Sequence, residues 1–442
     1  MAGPITLSGL DAQVALTNEV LMRHIEPGVR RLADVSSLYG QIIPRGKRQM
    51  SGAGGQFAVG NGFDPGVSWR GTLERLPQTG EVKPRWTNFD TFNLFAAMTF
   101  EDKYLVRVAN SPSSEMLLGG LKEKTKRLLD TLSNEKDTAM FGDGTAVKAL
   151  VTNAGGTVPV NNVPHPEFGL TTTIPVRFWD NNNLSFGATH FVTPGMNINI
   201  FASATPTLRV VTRVLTTDFA TGSIIVQGHC AASLVDGDRI VRGDSHGNDM
   251  NKSMAGIFSM FNAATGYLGV NFDVMQEWKP IVSDNGGATR AFDAGEFLRE
   301  LIALSIESPG EFKADTILVH PALSYEYWKQ RNFQTQYCAW ETEMATKISR
   351  PAFYVNGKKL MWQEAKLMPP HAIATLCSQS WERVVDMDFQ FDASLGSVLK
   401  PIQGYGGVLG AFGRGYENMI CTSPRENMIS TNWEVDRTLL RR

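Results

Sequence analysis

The stretch at 113–145, SSEMLLGGLKEKTKRLLDTLSNEKDTAMFGDGT, constrains the fold more than any other in the chain. Leu117, Leu121, Leu128 and Leu132 recur at spacings of four, seven and four, which places them on one face of a helix of 3.6-residue period. Ser111-Pro112 suits the start, because a serine side chain accepts from an orphan N–H and proline fits the first helical position. Gly142, Asp143, Gly144 and Thr145 supply the stop, since glycine tolerates the left-handed backbone that closes a helix. Lys122, Lys124, Lys126, Arg127 and Lys136 make the predicted exposed side mostly basic, with Glu123, Asp130 and Glu135 interrupting.

A chain of 442 residues carries enough material for about two or three domains. A net charge of -2 excludes a globally basic nucleic-acid binder and leaves room for one basic face. Cys230, Cys338, Cys377 and Cys421 form no C-x-x-C pair, so neither a disulfide framework nor a zinc site is expected. The N-terminal MAGPITLSGLDAQ lacks a basic region followed by an apolar run, and no stretch approaches about 18 apolar residues. The expectation is a soluble protein without a signal peptide or a membrane span.

Leu10, Val14, Thr17, Leu21 and Ile25 fit a helical stripe that Pro27-Gly28 ends, either an ordinary surface helix or an arm that packs on a partner. Arg30, Arg31, Arg45, Lys47 and Arg48 follow with little acid between them. From Ser51 to Arg85 glycines abound and apolar residues are sparse, so the stretch cannot pack as a domain and is expected to project. Turn signals at Asp64-Pro65-Gly66 and Gln78-Thr79-Gly80 suggest a long irregular hairpin. Its charges alternate through Arg70, Glu74, Arg75, Glu81, Lys83 and Arg85, which suits either salt bridges to another surface or a solvated loop.

Beyond the GDGT stop the composition becomes β-rich. Between about Thr171 and Gly243, short runs such as TLRVVTRVL and GSIIVQG lie between close-set turns, the pattern of a compact barrel or sandwich inserted in the chain. Met254 to Leu268 reads as helical, and a further helix starts near Asp293, where Asp293 and Glu296 have capping-box spacing. The strand DTILVH, a Pro321-led helix, a hairpin turning at Asn356-Gly357 and the strand HAIATLC complete an α+β pattern.

Catalytic and cofactor signals fail. Gly243-Asp244-Ser245-His246 invites a nucleophile reading, but consecutive residues on a short turn cannot face one another as a triad requires. Neither G-x-x-x-x-G-K-[ST] nor G-x-G-x-x-G occurs, even in GYGGVLGAFGRG, and GDGT follows a helix whereas phosphate loops precede one. His320, ending an apolar strand, is expected to be structural, and no histidine spacing points to a metal. No cofactor and no enzymatic activity are expected.

The order of these parts resembles the major capsid proteins of tailed bacteriophages, which share the Hong Kong 97 fold. The helix-to-GDGT junction at Asp137 to Thr145 looks like the end of that family's spine helix. SLVDGDRIVRGDSHGNDMNKSMAGIFSMF resembles the return into the main fold in members with an insertion, and DTILVHPALSYEYWKQ is similar to the strand and helix of the axial domain. The resemblance in order spans nearly the whole chain. It departs where AVKAL follows GDGT in place of the proline and glycine often found there.

That resemblance implies an α+β, Hong Kong 97-like subunit: an N-terminal arm at 1–50, an extended loop at 51–90, a peripheral domain with the spine helix at 91–165, an inserted small β-barrel-like domain at 166–245, a return to the main fold at 246–284, an axial domain at 285–400 and a C-terminal return at 401–442. It implies a structural protein that forms pentamers and hexamers of an icosahedral shell around double-stranded DNA, located in the virion and assembled in the host cytoplasm. Its expected partners are other copies of the chain, a separate scaffolding protein, a portal protein, a decoration protein and the packaged DNA, with no membrane. Leu117, Leu121, Leu128 and Leu132 would form the core face of the spine helix, and Gly142, Asp143, Gly144 and Thr145 its termination. Arg70, Glu74, Arg75, Glu81 and Lys83 would make inter-subunit contacts, and Arg30, Arg31, Lys122 and Lys126 would face DNA. The alternatives are an encapsulin-like container of the same fold and, from another class, a β-rich carbohydrate-binding or hydrolytic protein.

Overall fold

The computed structural model describes residues 37–46, 55–59, 85–101, 115–153, 158–179, 188–203, 207–219, 221–243, 247, 249–308, 311–335, 352–393, 397–402 and 408–435. The expected helix at 10–25, Arg30, Arg31, the loop residues Arg70, Glu74, Arg75, Glu81 and Lys83, and the Asp244-Ser245-His246 turn lie outside them.

In chain order the elements are helix α1 (Leu38–Ile42), strands β1 (Gly55–Val59), β2 (Arg85–Phe89) and β3 (Phe92–Glu101), and helix α2 (Glu115–Met140). Strands β4 (Val147–Val151), β5 (Val160–His165), β6 (Gly169–Arg177), β7 (Asn197–Phe201), β8 (Leu208–Asp218), β9 (Ser223–Gln227) and β10 (Arg239–Arg242) come next. Helix α3 (Ile257–Phe261), strands β11 (Gly266–Tyr267), β12 (Val270–Asn271) and β13 (Ile281–Ser283), helix α4 (Ala294–Glu307), strand β14 (Thr316–Val319) and helix α5 (Pro321–Thr335) follow. Strands β15 (Ala352–Val355), β16 (Lys358–Glu364), β17 (Ile373–Leu376), β18 (Trp381–Phe391), β19 (Leu399–Pro401), β20 (Val408–Cys421) and β21 (Met428–Ser430) end the chain. The class is α+β and rich in sheet. Two compact units result: Met1–Gly55 with Asp90–Met140 and Glu382–Ile420, and the remainder.

In the first unit β20 is the common strand of a sheet that also holds β3, β18 and β19. β3 and β20 run antiparallel from the pair Glu101 and Val408 to the pair Phe92 and Glu417. Side chains alternate across such a strand, so Met98 and Phe100 turn inward while Phe95 is exposed. The inward set meets Leu128 and Leu132 of α2, Phe389 and Phe391 of β18, and Leu399 of β19 in one core.

The second unit holds a β-barrel. Its strand order is β4-β10-β7-β8-β9-β6, closed by pairing of β4 with β6, and β5 flanks β6. Closure removes the open edges that an isolated sheet would expose. Ile174, Val176, Ile198, Ile200, Val214 and Ile224 fill it. A six-stranded mixed sheet, β13-β21-β17-β14-β16-β15, forms a second core in the same unit. Phe297, Leu301 and Leu304 of α4 pack there with Trp362 and Trp433. The β15–β16 hairpin turns at Asn356 (φ 50°) and Gly357 (φ 76°), the left-handed pair that a tight hairpin demands.

Several expectations need correction. The barrel starts at β4, so 147–165 belongs to it rather than to the domain of the long helix, because β4 closes the ring between β10 and β6. β18 and β19 lie in the sheet under α2, outside the expected axial domain that was drawn to residue 400. β21 joins the six-stranded sheet through β17 and β13, so only part of 401–442 returns to the first unit. β13 at Ile281–Ser283 already belongs to that six-stranded sheet. Only Ile257–Phe261 of the expected 254–268 helix forms, and β11 begins at Gly266. Asp293 caps α4 by accepting from Gly295 N (2.8 Å), while Glu296 reaches Arg290 (3.0 Å), so the capping box is half made.

Candidate functional site

Helix α2 carries the chemistry that most distinguishes the first unit. Leu128 and Leu132 are buried on the sheet, whereas the side chains of Leu117, Leu121 and Lys122 lie outside the described set. Lys126 is exposed. Lys124 lies 4.5 Å from the centre of the Phe100 ring and donates to Thr99 O, so its charge is partly spent on the sheet. Lys136, expected on the wet face, is instead 8% exposed and 3.1 Å from the Glu417 carboxylate on β20. A helix covered along one flank buries its stem carbons and pairs the charge at the end.

The last turn of α2 also holds α1. Ser37 caps α1 by accepting from Gly40 N (3.1 Å), and Asp137 accepts from Tyr39 N (3.0 Å). Burial pushes the Asp137 carboxyl up to about 6, against the opposing pull of the Tyr39 and Leu38 N–H groups and of Lys136. Tyr39 is buried, with the Arg383 guanidinium 5.6 Å from its ring centre.

At the turn beyond α2, the Asp143 carboxylate accepts from Thr145 N (2.9 Å) and Thr145 Oγ1 (2.5 Å). Gly144 has φ 87° and Ala146 φ 63°, two left-handed residues that redirect the chain into β4. Thr145 O in turn accepts from Asn251 N (2.9 Å). The AVKAL that departs from the family pattern is therefore the start of the first barrel strand. The Asp143 carboxylate thus closes the turn on Thr145.

β1 and β2 bracket residues 60–84 and pair with each other. Phe57, Val59, Thr87 and Phe89 face inward, Thr87 Oγ1 donates to Phe57 O (3.1 Å), and the Phe57 ring lies 6.1 Å from Phe89 and 6.2 Å from Trp278. Trp86 is 63% exposed. The foot of the expected projection is thus anchored in the second unit by aromatic packing.

No group of three or more His, Cys, Asp or Glu residues is placed to hold a metal ion among the described residues. Likewise no helix among them is long and apolar enough to cross a membrane. The thiols of Cys377 and Cys421 are pushed up by burial to about 11 and about 12, and that of Cys230 is raised too, so none is a ready nucleophile. His320 is 5% exposed and its Nδ1 accepts from Ala322 N (3.1 Å), a structural role.

Sequence reasoning missed two arrangements. Asn427 Oδ1 accepts from Cys377 N and Trp381 Nε1 (both 2.9 Å), while its Nδ2 donates to Ser380 Oγ and Ser423 O (both 3.0 Å). One amide thereby fastens the end of β17, the start of β18 and the β20–β21 corner, and a lone asparagine in the chain gives no signal of it. The second is the glycine run of β20: a Cβ on Gly413 would fall 2.2 Å from the Phe389 ring, and one on Gly415 3.3 Å from the Phe389 backbone. Gly413 thus admits the Phe389 ring and Gly415 the Phe389 backbone, two close approaches that a side chain would block.

No family model and no curated protein matches the sequence. Solved structures that match include the capsids of a cyanophage and of a GTA particle, a virus-like particle and an encapsulin. The capsid of cyanophage A-1(L) matches at 9% identity over 87% of this chain and 90% of that one, with a TM-score of 0.42. The capsid of a native GTA particle matches at 10% identity over 91% of each chain, with a TM-score of 0.41. The holo-SrpI encapsulin complex from Synechococcus elongatus PCC 7942 matches at 8% identity over 94% of this chain and 90% of that one, with a TM-score of 0.37.

Proposed function

We propose that the chain is the shell-forming subunit of a tailed bacteriophage, a major capsid protein that assembles as pentamers and hexamers around double-stranded DNA. The observation that carries this reading is the order and pairing of the parts. A 26-residue helix lies on a sheet drawn from distant stretches of chain, a paired foot brackets a charged glycine-rich segment, and a barrel interrupts the path to a six-stranded α+β sheet. A helix of that length spans about 39 Å, enough to serve as a strut along its sheet.

In this reading the work is association, without turnover of substrate. Residues 60–84 lie across a neighbouring copy, where Arg70, Glu74, Arg75, Glu81 and Lys83 meet complementary charges. Exposed ion pairs contribute about 0–1 kcal/mol each, so strength comes from apolar anchors such as Trp86 and from many repeated contacts in a closed lattice. Arg30, Arg31, Lys122 and Lys126 face the interior and offset DNA phosphate charge without reading sequence. A separate scaffolding protein, a portal protein and a decoration protein complete the assembly, which forms in the host cytoplasm and ends in the virion.

Negative-stain microscopy of the purified full chain tests this directly. Uniform closed shells are expected, and particles of only a few subunits under all assembly conditions overturn the proposal. Shells that carry a cargo protein instead of packaging DNA in the infected host point to an encapsulin-like container. Removing 60–84 while keeping β1 and β2 is expected to leave a folded subunit that builds no shell. Normal shells from that variant would remove the role given to the projection.

A further inference from the structure

The two cores of the second unit meet at a pair of imidazoles. His190 lies in a short 3-10 turn (Ala188–Phe191) between β6 and β7 of the barrel, and its ring is stacked on Phe219 with centres 4.8 Å apart. His320 closes β14 of the six-stranded sheet, and its ring centre is 6.2 Å from that of His190. From the β16–β17 loop, Leu367 packs on the barrel core, and His371 sets its ring 5.5 Å from Phe178 of the barrel.

The hydrogen bonding of His320 makes its neutral form structural. Its Nδ1 accepts from Ala322 N (3.1 Å), and its carbonyl accepts from Leu323 N (3.0 Å) and Ser324 N (3.1 Å) at the start of α5. An imidazole that accepts at Nδ1 carries its proton on Nε2, so a second proton must go to Nδ1. There it would face the Ala322 N–H, donor against donor. The charges acting on the pair are Lys366 upon His190 and His190 upon His320. The first turn of α5, Pro321 to Ser324, brings no titratable group. The carboxylate nearest to Phe219 in the chain, Asp218, accepts from Thr221 Oγ1 (2.8 Å).

We propose that the His190–His320 contact is an acid-sensitive latch between the barrel and the six-stranded sheet, closed while both imidazoles are neutral and opened when they gain protons. Burial holds His320 down at about 3, with His190 adding to the effect, and burial together with Lys366 lowers His190. A single group that titrates near 6.5 when open and near 3 when closed raises the opening equilibrium about 25-fold between about pH 7 and pH 5.

Hydrogen–deuterium exchange of the unassembled full chain, corrected for the intrinsic pH dependence of exchange, reads the latch. Peptides covering 188–192, 319–324 and 365–372 are expected to lose protection over that range by roughly this factor, while β7, β8 and β16 keep theirs. His320→Asn retains an acceptor for Ala322 N without a titrating ring and is expected to hold the joint closed. Lys366→Met, which leaves the packed rings untouched, is expected to shift the opening to lower pH. Unchanged protection in the wild type, loss of protection everywhere at once, or a His320→Asn variant that opens with acid as the wild type does would each overturn the proposal.

Discussion

Asp137→Asn tests whether burial or hydrogen bonding dominates where α1 meets the long helix. The Asp137 carboxyl stands at about 6, up from 3.8, with burial as the largest cause and the Tyr39 and Leu38 N–H groups pulling the other way. A rise of about 2 units corresponds to about 3 kcal/mol at about 1.4 kcal/mol per unit. The group keeps some contact with solvent, so about 1–2 kcal/mol is the discounted figure. Because the folded value lies above the unfolded one, the protonated folded state is favoured. The contribution to stability is full below about pH 4 and is lost as the pH rises through about 6. Asparagine keeps an oxygen for Tyr39 N and carries no charge to desolvate. Urea unfolding of the unassembled subunit, followed by tryptophan fluorescence, is therefore expected to find Asp137→Asn more stable than wild type by about 1–2 kcal/mol at about pH 8 and by less than about 1 kcal/mol at about pH 4.5. Comparing the two proteins at each pH removes effects common to both, the histidine latch included. A variant destabilised at the higher pH would refute the reasoning, because the charge-assisted bonds to α1 would then outweigh the burial of the carboxylate.

Two further substitutions probe the same unit by the same unfolding measurement. Lys136→Met leaves the Glu417 carboxylate buried without its 3.1 Å partner and is expected to cost about 3–5 kcal/mol, whereas Lys136→Met combined with Glu417→Met should cost far less; a double loss equal to the sum of the two single losses would show that the pair is not coupled. Gly413→Val drives a side chain into the Phe389 ring and is expected to cost about 1–3 kcal/mol, with a paired Phe389→Ala change relieving the clash; an unperturbed Gly413→Val protein would mean that the ring moves freely.

Local signals carried much of the secondary structure. The Asn356-Gly357 hairpin, the Asp293 cap of α4 and the Pro321-led helix each depend on a backbone preference or a hydrogen bond within a few residues, so the amino-acid string contains the whole cause. The 254–268 reading failed for a related reason, since apolar spacing alone does not reveal that the chain turns into a strand pair at Gly266. The lysines of α2 show the limit of periodicity. Lys136 reads as one more wet basic residue until Glu417, 281 positions away, is placed beside it.

By itself the sequence determined the long amphipathic helix with its sharp stop, the β-rich insertion, the alternation of helix and strand after it, and the order of parts that resembles a capsid subunit. Each of these follows from propensity, periodicity or turn chemistry, which act over a few residues. Tertiary structure alone decided which strands share a sheet: β4 closing the barrel, β18 and β20 underlying α2, and β21 crossing to the six-stranded sheet. It also decided which ionisable groups are buried and beside what, at Lys136, Asp137 and the imidazoles of His190 and His320. Strand pairing and burial depend on partners brought together from distant positions, and a linear pattern holds no record of which partners those are.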